Sequence, residues 1–169
     1  MIYHYKDNLQ GLPYLLGKPL KYSPEFSFIP LRVKGVKECI IQSPRVFVPF
    51  GIQENDKSKE YIMISFQNND TDTVQFTKDL DHIYRLIRDH FEGVYHVNPF
   101  VKEYKGDQCM NIKLNTTHTV FDRSKNICEE LPIYSYASII LQCAGLWVSG
   151  TQVWFQWYSH QIRLENQIS

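Results

Sequence analysis

The stretch YSYASIILQCAGLWVSGTQVWFQWYSHQIRLE, residues 134–165, decides the fold of this chain. Two runs rich in β-branched and aromatic residues, 137–148 and 152–164, flank the tripeptide Ser149-Gly150-Thr151. Such side chains favour strands, and glycine adopts the positive φ of a tight turn without steric cost. The stretch therefore predicts a long β-hairpin.

All three tryptophans of the chain, Trp147, Trp154 and Trp157, lie in this hairpin. Because strand side chains alternate between two faces, Trp154 and Tyr158 share one face and Trp157 lies on the other. We expect Trp147 and Trp157 in the core. The face that carries Trp154 is either covered by another element or exposed as a platform on which bases stack.

The alternation slips near the end of the hairpin. Beyond His160, the apolar residues Ile162 and Leu164 come into phase with Trp154. A β-bulge near residues 159–161 would return both side chains to the core, because a bulge inserts one extra residue into a strand.

Upstream, the spacing of apolar residues changes from that of strands to that of a helix and back. The residues at helical spacing are Phe76, Leu80, Ile83, Tyr84, Ile87 and Phe91. They predict a helix over about 76–91 that ends at Gly93. Alternating segments predict strands at 36–42, 45–49, 60–67, 94–101, 109–114 and 117–121.

This order of elements indicates a mainly β fold, a small β-barrel with one helix. The OB-fold, a five-stranded barrel, is the commonest architecture of this kind, so we expect an OB-fold-like barrel with an extended N-terminal arm. An α+β domain, with the helix packed on an open sheet, is the alternative.

Residues 1–32 are predicted to form the arm, because Pro13, Pro19, Pro24 and Pro30 interrupt any regular element. We expect these prolines to exclude the arm from the centre of a sheet. Its tyrosines and leucines must nevertheless pack on a surface, either on the same barrel or on a neighbouring copy. Residues 33–165 are predicted to form a single domain.

Composition narrows the classes of partner. Eighteen basic residues balance 18 acidic ones, so binding to nucleic acid would depend on local charge. The sequence has no apolar run of membrane-spanning length and no signal peptide, which predicts an intracellular protein without membrane contact. The four cysteines form no CxxC pair and are expected to be reduced thiols.

Catalytic motifs are missing from the sequence. It contains no glycine-rich phosphate loop, HExxH, GxSxG or EF-hand pattern, and its histidines are scattered singly. We therefore predict that the protein is not an enzyme, with no catalytic residues, no cofactor and no metal site.

Aromatic and basic residues are interleaved along the predicted strands, as in proteins that bind single-stranded nucleic acid. The candidate stacking residues are Trp154, Tyr158, Phe47 and Tyr104. The candidate phosphate contacts are Arg45, Lys102, Lys105, Lys113 and Arg163. A heavily packed barrel would have the same composition. The residues alone therefore do not distinguish a surface that binds single-stranded nucleic acid from a packed barrel.

Residues 139–148, IILQCAGLWV, are followed by Gly150, Trp157 and Gln161-Ile162. This pattern resembles the C-terminal motif of the single-stranded DNA-binding proteins of large nucleocytoplasmic DNA viruses. The segment RVFVPFG, residues 45–51, is similar to the family's segment that enters the barrel. The Ser-Gly-Thr turn departs from the glycine pair of that family.

The resemblance implies an OB-like fold that coats single-stranded DNA without strong sequence preference during viral DNA replication or repair. The location would be the host cytoplasm, at the viral replication site, or the nucleus. Self-association through residues 1–30 would allow neighbouring copies to bind cooperatively. The alternative function is a non-catalytic module that uses the aromatic face and the arm for protein–protein contacts.

Overall fold

The computed structural model describes residues 1–67 and 70–165. Within them the chain is mainly β with one α-helix, as the sequence predicts. The first strands are β1 (Tyr3–His4), β2 (Tyr14–Leu16), β3 (Leu20–Lys21), β4 (Ser27–Val33), β5 (Ile40–Gln42), β6 (Val46–Val48), β7 (Gln53–Glu54) and β8 (Glu60–Ser65). The helix α1 (Thr71–His90) follows, and then β9 (His96–Asn98), β10 (Lys102–Tyr104), β11 (Asp107–Phe121), β12 (Ile127–Cys128), β13 (Ser135–Ser149) and β14 (Gln152–Glu165).

Five of these strands close into a barrel. β6 pairs with β8, β8 with β11, β11 with β14 and β14 with β13, and β13 pairs with β6 to complete the circuit. The β11–β14 pair is parallel, whereas the other four pairs are antiparallel. Each strand of the circuit has a neighbour on both sides, so the predicted β-barrel with one helix is confirmed.

The barrel interior and the buried face of α1 form one hydrophobic cluster. Ile62 and Ile64 of β8 and Ile112 of β11 point inward and are fully buried, as their alternation predicts. Phe76 and Leu80 of α1 belong to the same cluster. Each such side chain stabilises the fold by about 1.5–3 kcal/mol through removal of apolar surface from water.

The helix begins about five residues earlier than its apolar spacing predicts, at Thr71. The reason is the N-cap: the carboxylate of Asp70 accepts a hydrogen bond of 2.7 Å from the backbone N–H of Thr73. Gly93, at φ +78°, ends the segment near the predicted place. Among the described residues, no helix has the length and apolarity needed to cross a membrane.

The long hairpin forms as predicted, and its bulge near the end is confirmed. In β14, Ser159 and Gln161 pair with consecutive residues of β13, which leaves His160 as the extra residue. The bulge restores the phase of the strand. Ile162 and Leu164 are consequently buried in the core.

A second bulge lies at Ala144 in β13, where the register with β14 shifts between Cys143 and Gly145. It reverses the phase of the strand, so that Trp147 lies half-buried on the outer face of the barrel. The prediction that Trp147 is a core residue is therefore wrong. Trp157 is 2% exposed, and its predicted core position is confirmed.

The N-terminal residues lie on the chain's own sheet. β1 pairs in parallel with β5, while β2 and β3 both pair with one side of β4. The other side of β4 pairs with β13, so β4 has neighbours on both sides. The expectation that prolines exclude this segment from the centre of a sheet is wrong for β4. The division of the chain at residue 32 remains a prediction.

Pro30 is accommodated in β4 because it lies opposite Gly145, next to the second bulge. Proline donates no backbone hydrogen bond and is tolerated in sheets at such irregularities. A Cβ atom on Gly145 would lie 2.2 Å from the carbonyl oxygen of Ile29. Glycine at this position thus permits β4 to approach β13.

Candidate nucleic-acid interface

A groove of about 450 Å³ crosses the outer face of the barrel. It is formed by β8, β11, the loop between β6 and β8, and the end of the hairpin. We call it the Trp154 groove. Its defining side chains are Lys59, Tyr61, Asn111, Lys113, Trp147 and Trp154.

A row of paired residues passes through Lys113; its members Tyr61 and Lys113 line the groove, whereas Tyr158 lies beside the lining. Lys113 of β11 is in register with Tyr61 of β8 and with Tyr158 of β14. Neighbouring strands lie about 4.8 Å apart, so this exposed cation is flanked by an aromatic residue on each side. Burial raises the pKa of the Tyr158 phenol, and the nearby Tyr22 adds to the shift. The phenol is therefore neutral at physiological pH and can donate a hydrogen bond.

A second row contains two tryptophans. Trp147 of β13 and Trp154 of β14 are directly paired across the hairpin, two residues from its turn on each strand. Trp154 is 41% exposed, in agreement with its predicted orientation away from the core. The indole N–H of Trp147 donates a hydrogen bond of 3.0 Å to the side-chain oxygen of Gln156. This bond fixes the plane of the Trp147 ring beside the exposed ring of Trp154.

Three aromatic residues of the N-terminal segment surround Trp147. The ring centroids of Tyr22, Phe26 and Phe28 lie 5.1, 6.5 and 4.8 Å from that of Trp147. The first two meet Trp147 edge-on, the arrangement that aromatic quadrupoles favour. We call Tyr22, Phe26, Phe28 and Trp147 the aromatic cluster.

A second depression, of about 330 Å³, continues from the Trp154 groove. The two share Asn111, Phe155 and Trp157 in their lining. The continuation is lined by two of the candidate residues, Lys102 and Tyr104.

Lys105 is close to this continuation. Its ammonium lies 5.5 Å from the centre of the Tyr104 ring, and it occupies the turn between β10 and β11 at φ +50°. Phe50 meets the same tyrosine ring edge-on, with a centroid distance of 6.1 Å. Lys102, Tyr104 and Lys105 thus form a second group of candidate residues beside the Trp154 groove.

The other three candidates lie elsewhere on the outer face and line neither depression. Phe47 packs on Tyr136 with a centroid distance of 5.2 Å, and the guanidinium of Arg45 lies 5.2 Å from the centre of the same tyrosine ring. Arg163 forms an ion pair of 2.8 Å with Glu165. A phosphate that binds Arg163 would have to compete with this carboxylate.

Part of the site is not predicted from the sequence. Trp147 is expected in the core, although a glycine inside a strand pattern is a known indication of a bulge. Tyr22 belongs to the predicted arm and lies outside the groove lining, and the pairing of β3 with β4 and of β4 with β13 brings it beside Trp147. No pattern in the sequence links residues so far apart.

The described residues hold no group of three or more side chains suited to bind a metal ion. Burial raises the pKa of the Cys39 thiol to about 12 and that of Cys143 well above its usual range. Both groups therefore remain protonated at neutral pH and are poor nucleophiles.

Solved structures with a similar fold are those of the single-stranded DNA-binding protein from bacteriophage Enc34. One superposes with a TM-score of 0.60 at 13% identity, over 92% of this chain and 92% of that chain. A C-terminally truncated form gives 0.59 at 13% identity, over 91% and 96%. The complex with single-stranded DNA gives 0.56 at 14% identity, over 91% and 97%.

Comparison with protein-family models and with curated protein sequences finds no match. The structural matches at 13–14% identity show a common fold. This chain, a closed barrel with one helix, therefore has the fold of a phage single-stranded DNA-binding protein.

Proposed function

We propose that this protein binds single-stranded DNA in the Trp154 groove without strong sequence preference. The observation that carries the proposal is the position of the groove on the barrel. In OB-folds, the face of the second and third strands and the loops between strands one and two and between strands four and five bind oligonucleotides. We infer that this barrel is of the OB type.

The barrel strands in chain order are β6, β8, β11, β13 and β14. The second and third are β8 and β11, which contribute Tyr61 and Lys113 to the groove. The loop between the first two strands contributes Lys59, and the hairpin of the last two contributes Trp147 and Trp154. All four elements that an OB-fold uses therefore line this one groove.

The side chains of the groove have the chemistry that binding requires. Trp154 exposes a ring on which any base can stack, which contributes about 1–3 kcal/mol per base without selecting among bases. Lys59 and Lys113 supply positive charge for phosphates, while Glu60 in the same lining limits the net charge. This balance is consistent with a chain of zero net charge that binds through a few positioned cations.

Two further observations support the proposal. The solved structures with this fold are single-stranded DNA-binding proteins, one of them in complex with single-stranded DNA. The sequence motif in residues 139–162 resembles the C-terminal motif of the single-stranded DNA-binding proteins of large nucleocytoplasmic DNA viruses. We propose on this basis that the protein acts without catalysis in viral DNA replication or repair inside the host cell.

Self-association is a further part of the proposal. Met1 and Ile2 are 80% and 55% exposed and lie next to β1, the last strand at one end of the sheet. An exposed apolar segment beside a sheet edge is suited to contact a second copy. Neighbouring copies on one DNA strand would meet through this part of residues 1–30.

Fluorescence anisotropy with labelled oligo-dT tests the function directly. We expect binding at low salt, with an association constant that falls steeply as salt rises, because phosphate contacts release counterions. Oligo-dC should bind with similar affinity, and a DNA duplex of equal length more weakly. A protein–protein interaction module would show no affinity for any of these, and that result would reject the proposal.

A further inference from the structure

A row of apolar side chains leads out of the Trp154 groove across four strands. Trp154 of β14 pairs with Trp147 of β13, Trp147 pairs with Phe28 of β4, and Phe28 pairs with Leu20 of β3. Directly paired residues point to the same face of a sheet. At a strand spacing of about 4.8 Å, the row is about 14 Å long. It connects the groove to the β3–β4 hairpin.

The end of this hairpin exposes two aromatic rings. Tyr22 is 74% exposed and Phe26 is 41% exposed, yet each ring also lies nearly perpendicular to that of Trp147. Monomeric proteins do expose single apolar residues, but a contiguous group beside a binding groove indicates an interaction surface.

The turn that carries these rings is held in one conformation. The backbone N–H of Tyr22 donates a hydrogen bond of 3.0 Å to the carbonyl oxygen of Phe26. The hydroxyl of Ser23 accepts hydrogen bonds from the backbone N–H groups of Glu25 and Phe26, at 3.3 and 3.1 Å. Because the aromatic surface is preformed, a ligand would pay little entropy to order it.

The charges on the hairpin favour an anionic ligand. Lys18, just before β3, and Lys21, within it, are exposed, against one exposed acid in the turn, Glu25. Lys21 is adjacent to Tyr22 in the sequence, although strand alternation turns its side chain to the face opposite that of Leu20 and Phe28. It therefore adds positive charge to the hairpin without being part of the aromatic row, and proteins that hold single strands combine basic residues with stacking rings.

We infer that the β3–β4 hairpin is a second binding segment for the DNA strand that occupies the Trp154 groove. The strand leaves the groove over Trp147, and its bases stack on Tyr22 and Phe26. This inference rests on the proposed function and adds residues 20–28 to the DNA-binding surface. At the 3.4 Å rise of a stacked strand, the row accommodates at most about four further nucleotides.

The test is the dependence of affinity on oligonucleotide length. Wild-type protein and the double variant Tyr22→Ala/Phe26→Ala are titrated with oligo-dT of about 5 and about 15 nucleotides, lengths near the limits of site size for one OB-fold. Tyr134→Ala is the matched control, since Tyr134 is 70% exposed and lies outside the row. Thermal unfolding of each variant verifies that the fold is kept.

We expect the double variant to bind the short oligonucleotide like the wild type and to bind the long one at least about fivefold more weakly, the contribution of one stacked base at its lower limit. Equal losses on both lengths, or no loss on either, would overturn the inference. Failure of the wild type to bind any length would reject the proposed function itself.

A second measurement uses the unaltered chain, so it is independent of how the variants fold. Oligo-dT that contains 5-iododeoxyuridine is cross-linked to the wild type by light, and the modified peptides are sequenced. We expect cross-links to Tyr22 or Phe26 with the long oligonucleotide and to Trp154 with both lengths. Cross-links confined to the groove with both lengths would overturn the inference.

Discussion

The indole N–H of Trp147 donates a hydrogen bond of 3.0 Å to the side-chain oxygen of Gln156, across the two strands of the hairpin. Gln156 is 5% exposed although it faces away from the core, because the half-buried indole lies against it. The bond fixes the ring that connects Trp154 to the aromatic cluster. It therefore couples the stability of the hairpin to the shape of the groove.

Replacement of Gln156 by methionine tests this coupling. Methionine has nearly the same volume but a poor acceptor, so the indole N–H loses its partner. We expect the free energy of unfolding in urea to fall by about 1–2 kcal/mol, and the affinity for oligo-dT to fall as the ring of Trp147 becomes less ordered. Gln161→Met, at an exposed position of the same strand, is the control. Equal effects of the two variants would contradict this role.

The three tryptophans should differ in what their removal changes. Trp154→Ala should weaken oligo-dT binding by about 1–3 kcal/mol and leave the melting temperature nearly unchanged, because its ring is largely exposed. Leu86→Ala, with 42% exposure on the helix, controls for loss of an exposed apolar side chain. Anisotropy and thermal unfolding measure the two properties.

Trp157 provides the opposite case. Its side chain is buried in the core, so Trp157→Ala should lower the free energy of unfolding by about 3–5 kcal/mol. Trp147 is half-buried, so the loss of stability in Trp147→Ala should lie between those of Trp154→Ala and Trp157→Ala. A melting temperature that drops as far for Trp154→Ala as for Trp157→Ala would show that Trp154 supports the fold.

The hairpin illustrates what can be predicted from the sequence. The bulge at His160 is visible because the phase of Ile162 and Leu164 slips relative to the preceding residues. The bulge at Ala144 produces no such slip of phase, because apolar residues occupy both phases around Gly145. The predicted core position of Trp147 is consequently wrong. Periodicity locates a bulge only where the two faces differ in polarity.

The candidate site shows a second limit of prediction from the sequence. Trp154, Tyr158 and Lys113 share the outward phase of their strands. Lys113 and Trp154 line the groove, and the parallel pairing of β11 with β14 places Tyr158 beside Lys113. Phe47 and Arg45 satisfy the same criterion but lie on Tyr136 instead. Which exposed residues share a groove depends on strand order, and that information is non-local.

Lys113 is the cation expected to matter most in the groove, because aromatic residues flank it on both neighbouring strands. Removal of its charge in Lys113→Gln should reduce the slope of log K against log salt by somewhat less than one unit. The control is Lys78→Gln, an exposed lysine of α1 that lies outside the groove. A larger change of slope for the helix variant would place the DNA on another face.

His118 should make stability depend on pH. Burial lowers its pKa below the ordinary value of 6.5, although the charge of Glu60 partly opposes the shift, and its Nε2 atom is buried without a hydrogen-bond partner among the described residues. Because the folded chain binds this proton less readily than the unfolded chain, protonation favours unfolding. The free energy of unfolding should therefore fall as the pH drops below about 6.5, whereas above that value both states are neutral at this site.

In His118→Gln this component disappears, so its stability should fall less than that of the wild type between about pH 7 and pH 5. Urea denaturation at a series of pH values measures the difference. His96→Gln, at an exposed position, controls for the loss of a histidine. If the wild type and His118→Gln lose stability in parallel over this range, the proton that destabilises the fold binds elsewhere.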